Sequence, residues 1–355
     1  MARIAVILFN LGGPDNQKAV SGFLYNLFSD KAIIKAPQPL RFLLAKFITW
    51  RRQEKAKKIY RYLGGGSPIL ANTQEQAEAL ENKLRQNFLK DTVKVFISMR
   101  YWHPFSQQVA EEVRNFNPNQ IIALPLYPQF STTTTASSLD NWQKTWKKQG
   151  HLASVTSVCC YPTLSGFTEV MAKSLQKEMV QLQRDFPGTP YRVLFSAHGL
   201  PQKIVEQGDP YDVHIATSAA AVAEKAGLRP DQWQITYQSR VGPVLWLKPY
   251  SENVIRELSN QHQGLIIVPI SFVSEHSETL VELDITYRDL ALEAGAAFYR
   301  RLPTVGIDEI FIQGLANLTE QAMRSKSSIT SCSLEGYCPS SKSGCYQRTQ
   351  LKGQP

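Results

Sequence analysis

The stretch 265-LIIVPISFVSEHSETLVELD-284 joins an unbroken apolar strand to three glutamates and a histidine. Residues 264–272, GLIIVPISF, carry Leu, Ile, Val and Phe without alternation, the pattern of a strand buried on both faces of a parallel sheet. The glutamates follow at once. Glu275, Glu278 and Glu282 stand at i, i+3 and i+7, a spacing that predicts one helical face. Like charges so placed repel. A carboxylate in a first helical turn is stabilised by the helix dipole, which suffices for Glu275; the second-turn Glu282 needs another reason.

The same stretch has an echo. At a fixed offset of 144, 121-IIALPLYPQFSTTTTASSLD-140 aligns Pro125 with Pro269, Thr135 with Thr279, and Leu139-Asp140 with Leu283-Asp284. VFISMR (95–100) likewise resembles VLFSAH (193–198), which sets Arg100 opposite His198. Self-similarity of this kind predicts two related halves. Their polar residues differ: Ser131, Thr132, Thr134 and Ser138 in the first half stand against Glu275, His276, Glu278 and Glu282 in the second. Ionisable chemistry is therefore expected in the second half.

Strand candidates at 3–10, 93–99, 120–127, 191–197, 232–238 and 264–272 alternate with helical patterns at 74–88, 165–186 and 213–227. Such alternation predicts an α/β protein of parallel sheets covered by helices. With 355 residues the chain exceeds the ~250–300 at which one core stops growing. Two similar doubly wound, Rossmann-like domains around a central cleft are expected, over 1–160 and 161–325, with a Cys-containing tail over 326–355. Ligands of such sheets bind beyond the carboxyl ends of the strands.

Composition narrows the class. At 43% hydrophobic and 19% charged the chain is ordinary for a globular protein, and no apolar run reaches the ~18 residues of a membrane span. The N-terminal MARIAVILFNLGGP ends in a turn signal and reads as the first strand of a cytoplasmic protein. A net charge of +9 suggests acidic partners: nucleic acid, an anionic bilayer surface or a carboxylate-bearing substrate. The triple glycine 64–66 lacks the GxxxxGK[ST] pattern and is followed by Ser67-Pro68, so it reads as a turn and no nucleotide is expected.

His198 lies in 196-SAHGLP-201, directly after a strand, where Gly199 and Pro201 enforce a tight turn. A histidine at a strand end is often structural. Opposite a glutamate-rich turn, a neutral imidazole and a carboxylate can together handle a proton or a divalent metal.

Taken together, NLGGP (10–14), YLGGGSP (62–68), SMRYWHP (98–104), LPLYPQFSTTT (124–134), SAHGLP (196–201), YQSRVGPVLWL (237–247) and VPISFVSEHSETLVELD (268–284) resemble the ferrochelatases, over roughly residues 3–325. The resemblance implies a chelatase-like fold and the insertion of Fe²⁺ into protoporphyrin IX to give protohaem, with two pyrrole protons expelled. It makes His198 and Glu278 the catalytic pair and the contacts of ferrous iron, with His276 and Glu282 as a polar relay and Arg100, Tyr101 and Leu11 on the opposite side. It assigns porphyrin binding to Arg52, Tyr60 and Ser67, which would hold its carboxylates, and to Trp246 and Phe272, which would line an apolar pocket. Leu11 stands where the coproporphyrin branch has tyrosine, which favours protoporphyrin IX. The implied partners are these substrates, the surface of the inner membrane and the preceding enzyme of the pathway, with no nucleic acid. The implied place is the cytoplasm, peripherally on that membrane.

The run 37-PQPLRFLLAKFITWRR-52 reads by pattern as an amphipathic helix packed on the first domain. The resemblance makes it an apolar lip on the bilayer, with Leu40, Phe42, Leu43, Phe47 and Trp50 beside Arg41, Lys46, Arg51 and Arg52.

Five cysteines remain: Cys159, Cys160, Cys332, Cys338 and Cys345. In a reducing compartment they do not suggest a disulfide framework. Some ferrochelatases hold a [2Fe–2S] cluster on one internal and three tail cysteines, which implies such a cluster on four of these five. The animal internal ligand aligns with Thr132 and its tail spacing is narrower; certain bacterial members have the internal cysteine before a Tyr-Pro, as at 159–160 here. In an extended strand neighbouring side chains oppose one another, so only one of Cys159 and Cys160 is expected to face the tail. Reduced thiols on an unstructured tail are the alternative. For the whole protein, the alternatives are a non-catalytic tetrapyrrole or metal carrier and a cobalt or nickel chelatase of the same fold.

Overall fold

A computed structural model describes residues 1–150, 153–333 and 338–347. The chain forms two compact units, one of residues 1–160 with the described part of 315–334, the other of 161–314 with the described part of 335–355. Nine strands occur among the described residues: β1 Arg3–Asn10, β2 Thr92–Met99, β3 Gln120–Pro125, β4 Ser154–Cys160, β5 Tyr191–His198, β6 Trp233–Gln238, β7 Gly264–Pro269, β8 Tyr299–Arg301 and β9 Ile329–Ser331. The first unit orders its sheet β2-β1-β3-β4-β9 and the second β6-β5-β7-β8. Every pairing is parallel. The α/β class and the two parallel sheets are as the alternation predicts.

The apolar runs are strands because both faces are covered. Ile4–Phe9 and the whole of β7 are buried. Helices Ser106–Phe116 and Thr135–Lys148 pack on the first sheet, and Ser251–Asn260 packs on β6 and β7 of the second. In the second unit Leu194, Leu265 and Ile267 of the sheet close a core with Val254, Ile255 and Leu258 of that helix.

Shared registers place the two units on one plan. Pro125 pairs with Phe9 and Pro269 with Ser196, so the offset of 144 superposes β3 on β7 and β1 on β5. The companion pairings, Asn10 with Met99 and His198 with Gln238, superpose β2 on β6. His198 is thus the counterpart of Leu11, and Arg100 the counterpart of Gln238. The short match of VFISMR to VLFSAH misaligned them, because apolar strand sequences look alike whatever their place in the sheet.

Three strands escape the sequence pattern. β4 is rich in Ser and Thr, while β8 and β9 have three residues each, too short for a periodicity. β9 takes a stretch of the expected tail into the first sheet, beside β4.

A further correction concerns the glutamates. Residues 271–276 form an irregular turn, and Glu278–Tyr287 is a π-helix, not the continuation of an α-helix from Glu275. Leu283 and Tyr287 anchor the π-helix in the core. Glu275 leaves the common face: its Oε1 accepts from Arg301 Nη1 at 2.6 Å and from the Thr304 amide at 2.8 Å. Arg301 Nε donates to Asp284 Oδ1 at 2.7 Å, and its Nη2 pairs with Asp284 Oδ2. One guanidinium therefore ties the turn before the π-helix to the middle of it, as a planar fork can.

Arg301→Gln is expected to destabilise the protein by ~2–3 kcal/mol near neutral pH, since charge-assisted bonds to two carboxylates are lost. Burial alone would push Glu275 up; Arg301, with bonds from Thr279 and the Thr304 amide, outweighs it and holds the carboxyl below its ordinary value. A lowered folded-state pKa stabilises fully above the unfolded value, and that gain disappears as pH falls through the folded one. Urea midpoints of wild type and variant should converge on acidification from about pH 7 to about pH 3. A gap that stays constant would contradict this.

Candidate active site

In an open parallel sheet, ligands bind where the strand order reverses. In the second unit that point lies between β5 and β7, and the residues just beyond these two strands are His198 and the turn leading to Glu278. His198 Nδ1 is 2.6 Å from the carbonyl oxygen of Gly199. A carbonyl only accepts, so Nδ1 carries the proton and Nε2 of the neutral ring carries the lone pair. His276 repeats the arrangement, with Nδ1 3.0 Å from the Ser274 carbonyl. Both Nε2 atoms turn to one carboxylate: His198 lies 3.5 Å from Glu278 Oε1 and His276 lies 3.5 Å from Glu278 Oε2. Burial disfavours the charge on Glu278, but the positive charge of His198 and His276 in their imidazolium forms outweighs burial and holds its pKa down to about 2.

The surroundings fix this triplet. The His198 amide donates to Ser271 Oγ at 3.0 Å, and Tyr211 donates to the His198 carbonyl at 3.0 Å. Trp246 is edge-on to His198 with ring centres 6.5 Å apart, and its Nε1 donates to the Val241 carbonyl. A Cβ on Gly199 would lie 2.7 Å from the Gln238 carbonyl and 3.1 Å from the Trp246 ring, so the turn after His198 admits only glycine at this approach. Phe272 is edge-on to His276 at 4.6 Å.

Glu282 takes a different position from the one its spacing suggests. Its carboxylate accepts from the Ser239 amide at 2.9 Å, Ser239 Oγ at 2.5 Å, Gln238 Nε2 at 3.2 Å and Tyr287 OH at 3.1 Å. Gln238 Nε2 also reaches the main-chain oxygen of Glu278, so it is the link between the two glutamates. Burial and the Glu278 charge push Glu282 up, against the pull of Ser239, His198 and Tyr287.

The first unit holds the other expected residues. Arg100 Nη2 and Tyr101 OH both donate to Asp30 Oδ2, at 2.7 and 2.9 Å, and Ser137 Oγ adds a third bond at 2.5 Å. Arg100 Nε also donates to Ser137. The charge of Arg100 is thereby met inside the unit. Tyr101, 1% exposed, and Tyr60, 7% exposed, belong to an apolar cluster with Val20, Phe23 and Phe28, against which Leu11 packs. Ser67 closes on the first turn: its amide donates to the Pro14 carbonyl at 2.7 Å. Arg52 lies with its guanidinium 5.8 Å over the Phe28 ring.

Sequence reasoning missed Asp30, Ser137, Gln238, Ser239, Tyr287 and Tyr211. Gln238 had a signal, since it ends a strand candidate in a parallel sheet, and Ser239 follows it directly. Asp30 had none, because its partners lie about 70 and 107 positions away in the chain.

The helix Gln38–Tyr62 runs 25 residues and buries Ala45, Thr49 and Tyr60. Its apolar residues face out: Leu43 is 65% exposed, Phe47 57% and Trp50 65%, and Leu40 is exposed too. Phe42 is only half-buried, and Arg41 is occupied by the Ser29 and Ala36 carbonyls. No helix among the described residues is long and apolar enough to cross a membrane.

Cys159 and Cys160 do not oppose one another. A register shift between Val158 and Cys160 bends β4 and brings their sulfurs to 3.4 Å. The Cys332 amide bonds the Cys160 carbonyl at 3.3 Å. Cys338 Sγ lies 3.4 Å from His214 Nε2, and Cys345 is buried. Among the described residues no three His, Cys, Asp or Glu side chains are grouped to hold a metal ion.

The ferrochelatase family model matches residues 3–323. A ferrochelatase of Rickettsia felis is 43% identical over 345 residues, 97% of each chain, and one of Caulobacter vibrioides is 48% identical over 322 residues, 90% of each. Among solved structures, SirB from Bacillus subtilis with Fe³⁺ is 11% identical with a TM-score of 0.51, covering 91% of this chain and 96% of that one. The sirohydrochlorin chelatase SirB from Bacillus subtilis subspecies spizizenii with cobalt is 9% identical with a TM-score of 0.50, covering 91% and 95%. These two likenesses concern the fold; the close relatives and the family match concern the chemistry. The chain belongs to the ferrochelatase family, the lyases that insert iron into protoporphyrin.

Proposed function

We propose that, in inserting Fe²⁺ into protoporphyrin IX, this chain uses His198 Nε2 to take pyrrole protons and Glu278 to stabilise the imidazolium that forms. The supporting observation is the pair of imidazoles whose Nδ1 atoms are engaged by carbonyls and whose Nε2 atoms both meet the Glu278 carboxylate. A lone pair so aimed gains a proton at the cost of little reorganisation. Two protons leave per iron bound, and His276 offers the second acceptor on the same carboxylate. Before the protons move, His198 Nε2 and Glu278 are also the groups we assign to the incoming ferrous ion, an imidazole and a carboxylate suited to it. A carrier without turnover would have no use for a lone pair facing a carboxylate. A related cobalt or nickel chelatase would use the same groups, so the assay must compare metals.

His198→Ala is expected to lower kcat by at least about a hundredfold with porphyrin still bound. Glu278→Gln should lower kcat more than it raises the porphyrin KM, because the amide keeps the shape but neither accepts a proton nor carries charge. If either variant retained more than about a tenth of wild-type kcat in an anaerobic Fe²⁺ insertion assay, the assignment would be wrong.

For Arg52 and Ser67 we propose contact with the carboxylates of the porphyrin, and for Trp246, Phe272 and Leu11 contact with its apolar ring. Arg100 and Tyr101 are better suited to hold Asp30 than to reach a reactant. The exposed stripe of Leu43, Phe47 and Trp50, beside the exposed Lys46 and Arg51, supports peripheral seating on the anionic cytoplasmic face of the inner membrane. There an apolar porphyrin passes from the preceding enzyme without crossing water. Replacing Leu43, Phe47 and Trp50 with serine should release the protein from anionic vesicles while Tm holds within about 2 °C. Unchanged vesicle flotation would show that the stripe serves something else.

We also propose a [2Fe–2S] cluster on Cys332, Cys338, Cys345 and one of Cys159 and Cys160. The donor set is right in kind, four thiolates, and the Cys332 main chain lies against Cys160. Anaerobically purified protein should be red-brown, with about two irons and two acid-labile sulfides per chain. Cys→Ser at 332, 338 or 345 should bleach it. Colourless protein from iron-replete cells would refute the cluster and leave the chelatase chemistry intact.

A further inference from the structure

Glu282 is fixed by more donors than the fold requires. The counterpart of Glu282 under the offset of 144 is Ser138, in the helix Thr135–Lys148 that follows β3 in a sheet whose β2-β1-β3-β4 order matches β6-β5-β7-β8. A serine there is compatible with that architecture. In the second unit a carboxylate is buried instead, at a cost that only hydrogen bonds offset.

Those bonds centre on one residue. Ser239 gives both its amide and its hydroxyl to Glu282. To do so it adopts φ 63°, a left-handed conformation that a residue with a Cβ occupies at a cost of about 1 kcal/mol or more. Asn117, Ser239 and His262 are the non-glycine residues with positive φ among the described residues, and Tyr101, the counterpart of Ser239 in the first unit, is not one of them. The strain is thus specific to the second unit and sits at a strand end beside the reacting pair. Strain of this kind persists where surrounding contacts over-determine it.

The counterparts clarify the design. In both units two equivalent residues at or just past the end of the second strand of the plan hold a carboxylate: Arg100 and Tyr101 hold Asp30, and Gln238 and Ser239 hold Glu282. In the first unit the donors include a full positive charge. In the second all four donors are neutral.

We infer that Ser239 is a positioning residue for iron insertion, whose hydroxyl and amide fix the Glu282 carboxylate beside the His198–Glu278 pair. It acts through Glu282 and makes no contact with a reactant. The inference rests on the reading that His198 and Glu278 carry the chemistry.

Two substitutions separate the hydroxyl from the backbone. Ser239→Gly keeps the amide donor, relieves the left-handed conformation and removes only the hydroxyl. Ser239→Ala removes the hydroxyl and keeps the strain. Both are to be assayed anaerobically with Fe²⁺ and protoporphyrin IX, alongside His198→Ala and with Tm measured throughout. Both variants are expected to lose about ten- to a hundredfold in kcat, the worth of one bond to a charged group, with porphyrin KM within about twofold. Ser239→Gly should be the more stable of the two. Wild-type kcat in Ser239→Gly overturns the inference and reduces Ser239 to a backbone requirement. Loss in both variants that appears only in KM or in Tm overturns it as well. If His198→Ala is itself fully active, the reading of the site fails and the inference falls with it; if His198→Ala is dead while both Ser239 variants are normal, only the inference falls.

Discussion

One hydrogen bond fixes the geometry of the candidate site: the Nδ1–H of His198 on the carbonyl of Gly199. It forces the lone pair of the neutral ring onto Nε2, and Nε2 faces a carboxylate. A proton placed on Nε2 would lie 3.5 Å from Glu278 Oε1, where the carboxylate meets the cation that forms. The bond depends in turn on the turn geometry of residues 198–201, where the close approach of the Gln238 carbonyl and Trp246 leaves no room for a Cβ at position 199. The tight packing of one glycine therefore bears on which nitrogen faces Glu278.

The two units show how a common scaffold is given different chemistry. Both sheets place loops beyond the carboxyl ends at the reversal of strand order, and the registers superpose strand by strand. In the first unit these loops carry Leu11, Ser131, Thr132 and Thr134; in the second, His198, Glu275, His276 and Glu278. The extra charge of the second unit is contained by dedicated partners. Arg301 takes Glu275 and Asp284, Ser239 with Gln238 and Tyr287 takes Glu282, and Glu278 alone is left to the imidazoles. A turn that looked like a cluster of repelling glutamates is three carboxylates in three separate environments.

Much of this was legible in the chain. Apolar runs marked six of the nine described strands, unalternated where, as in β1 and β7, both faces are buried, and the offset of 144 found the correspondence of β3 with β7. His198 could be singled out because it ends a core strand, and Glu278 because it lies in the turn and helix that follow another. The failures have physical causes as well. A three-residue strand such as β8 has no period to detect, a bulge in β4 broke the alternation assumed for Cys159 and Cys160, and a π-helix undid the spacing argument for Glu275. Asp30 could not be found at all, since a buried carboxylate matched to Arg100 and Ser137 is defined by contacts distant in sequence. The outward apolar face of the helix Gln38–Tyr62 was ambiguous for a similar reason: the pattern gives a stripe, and only tertiary packing decides which side is buried.

The chemistry proposed for His198 depends on one tautomer, and nitrogen-15 NMR of histidine-labelled protein measures tautomers directly. With the His198 resonances assigned by their absence in His198→Ala, the account predicts that the neutral ring is protonated on Nδ1, with Nε2 bearing the lone pair. A neutral His198 protonated on Nε2 would leave no base aimed at Glu278 and would contradict the account.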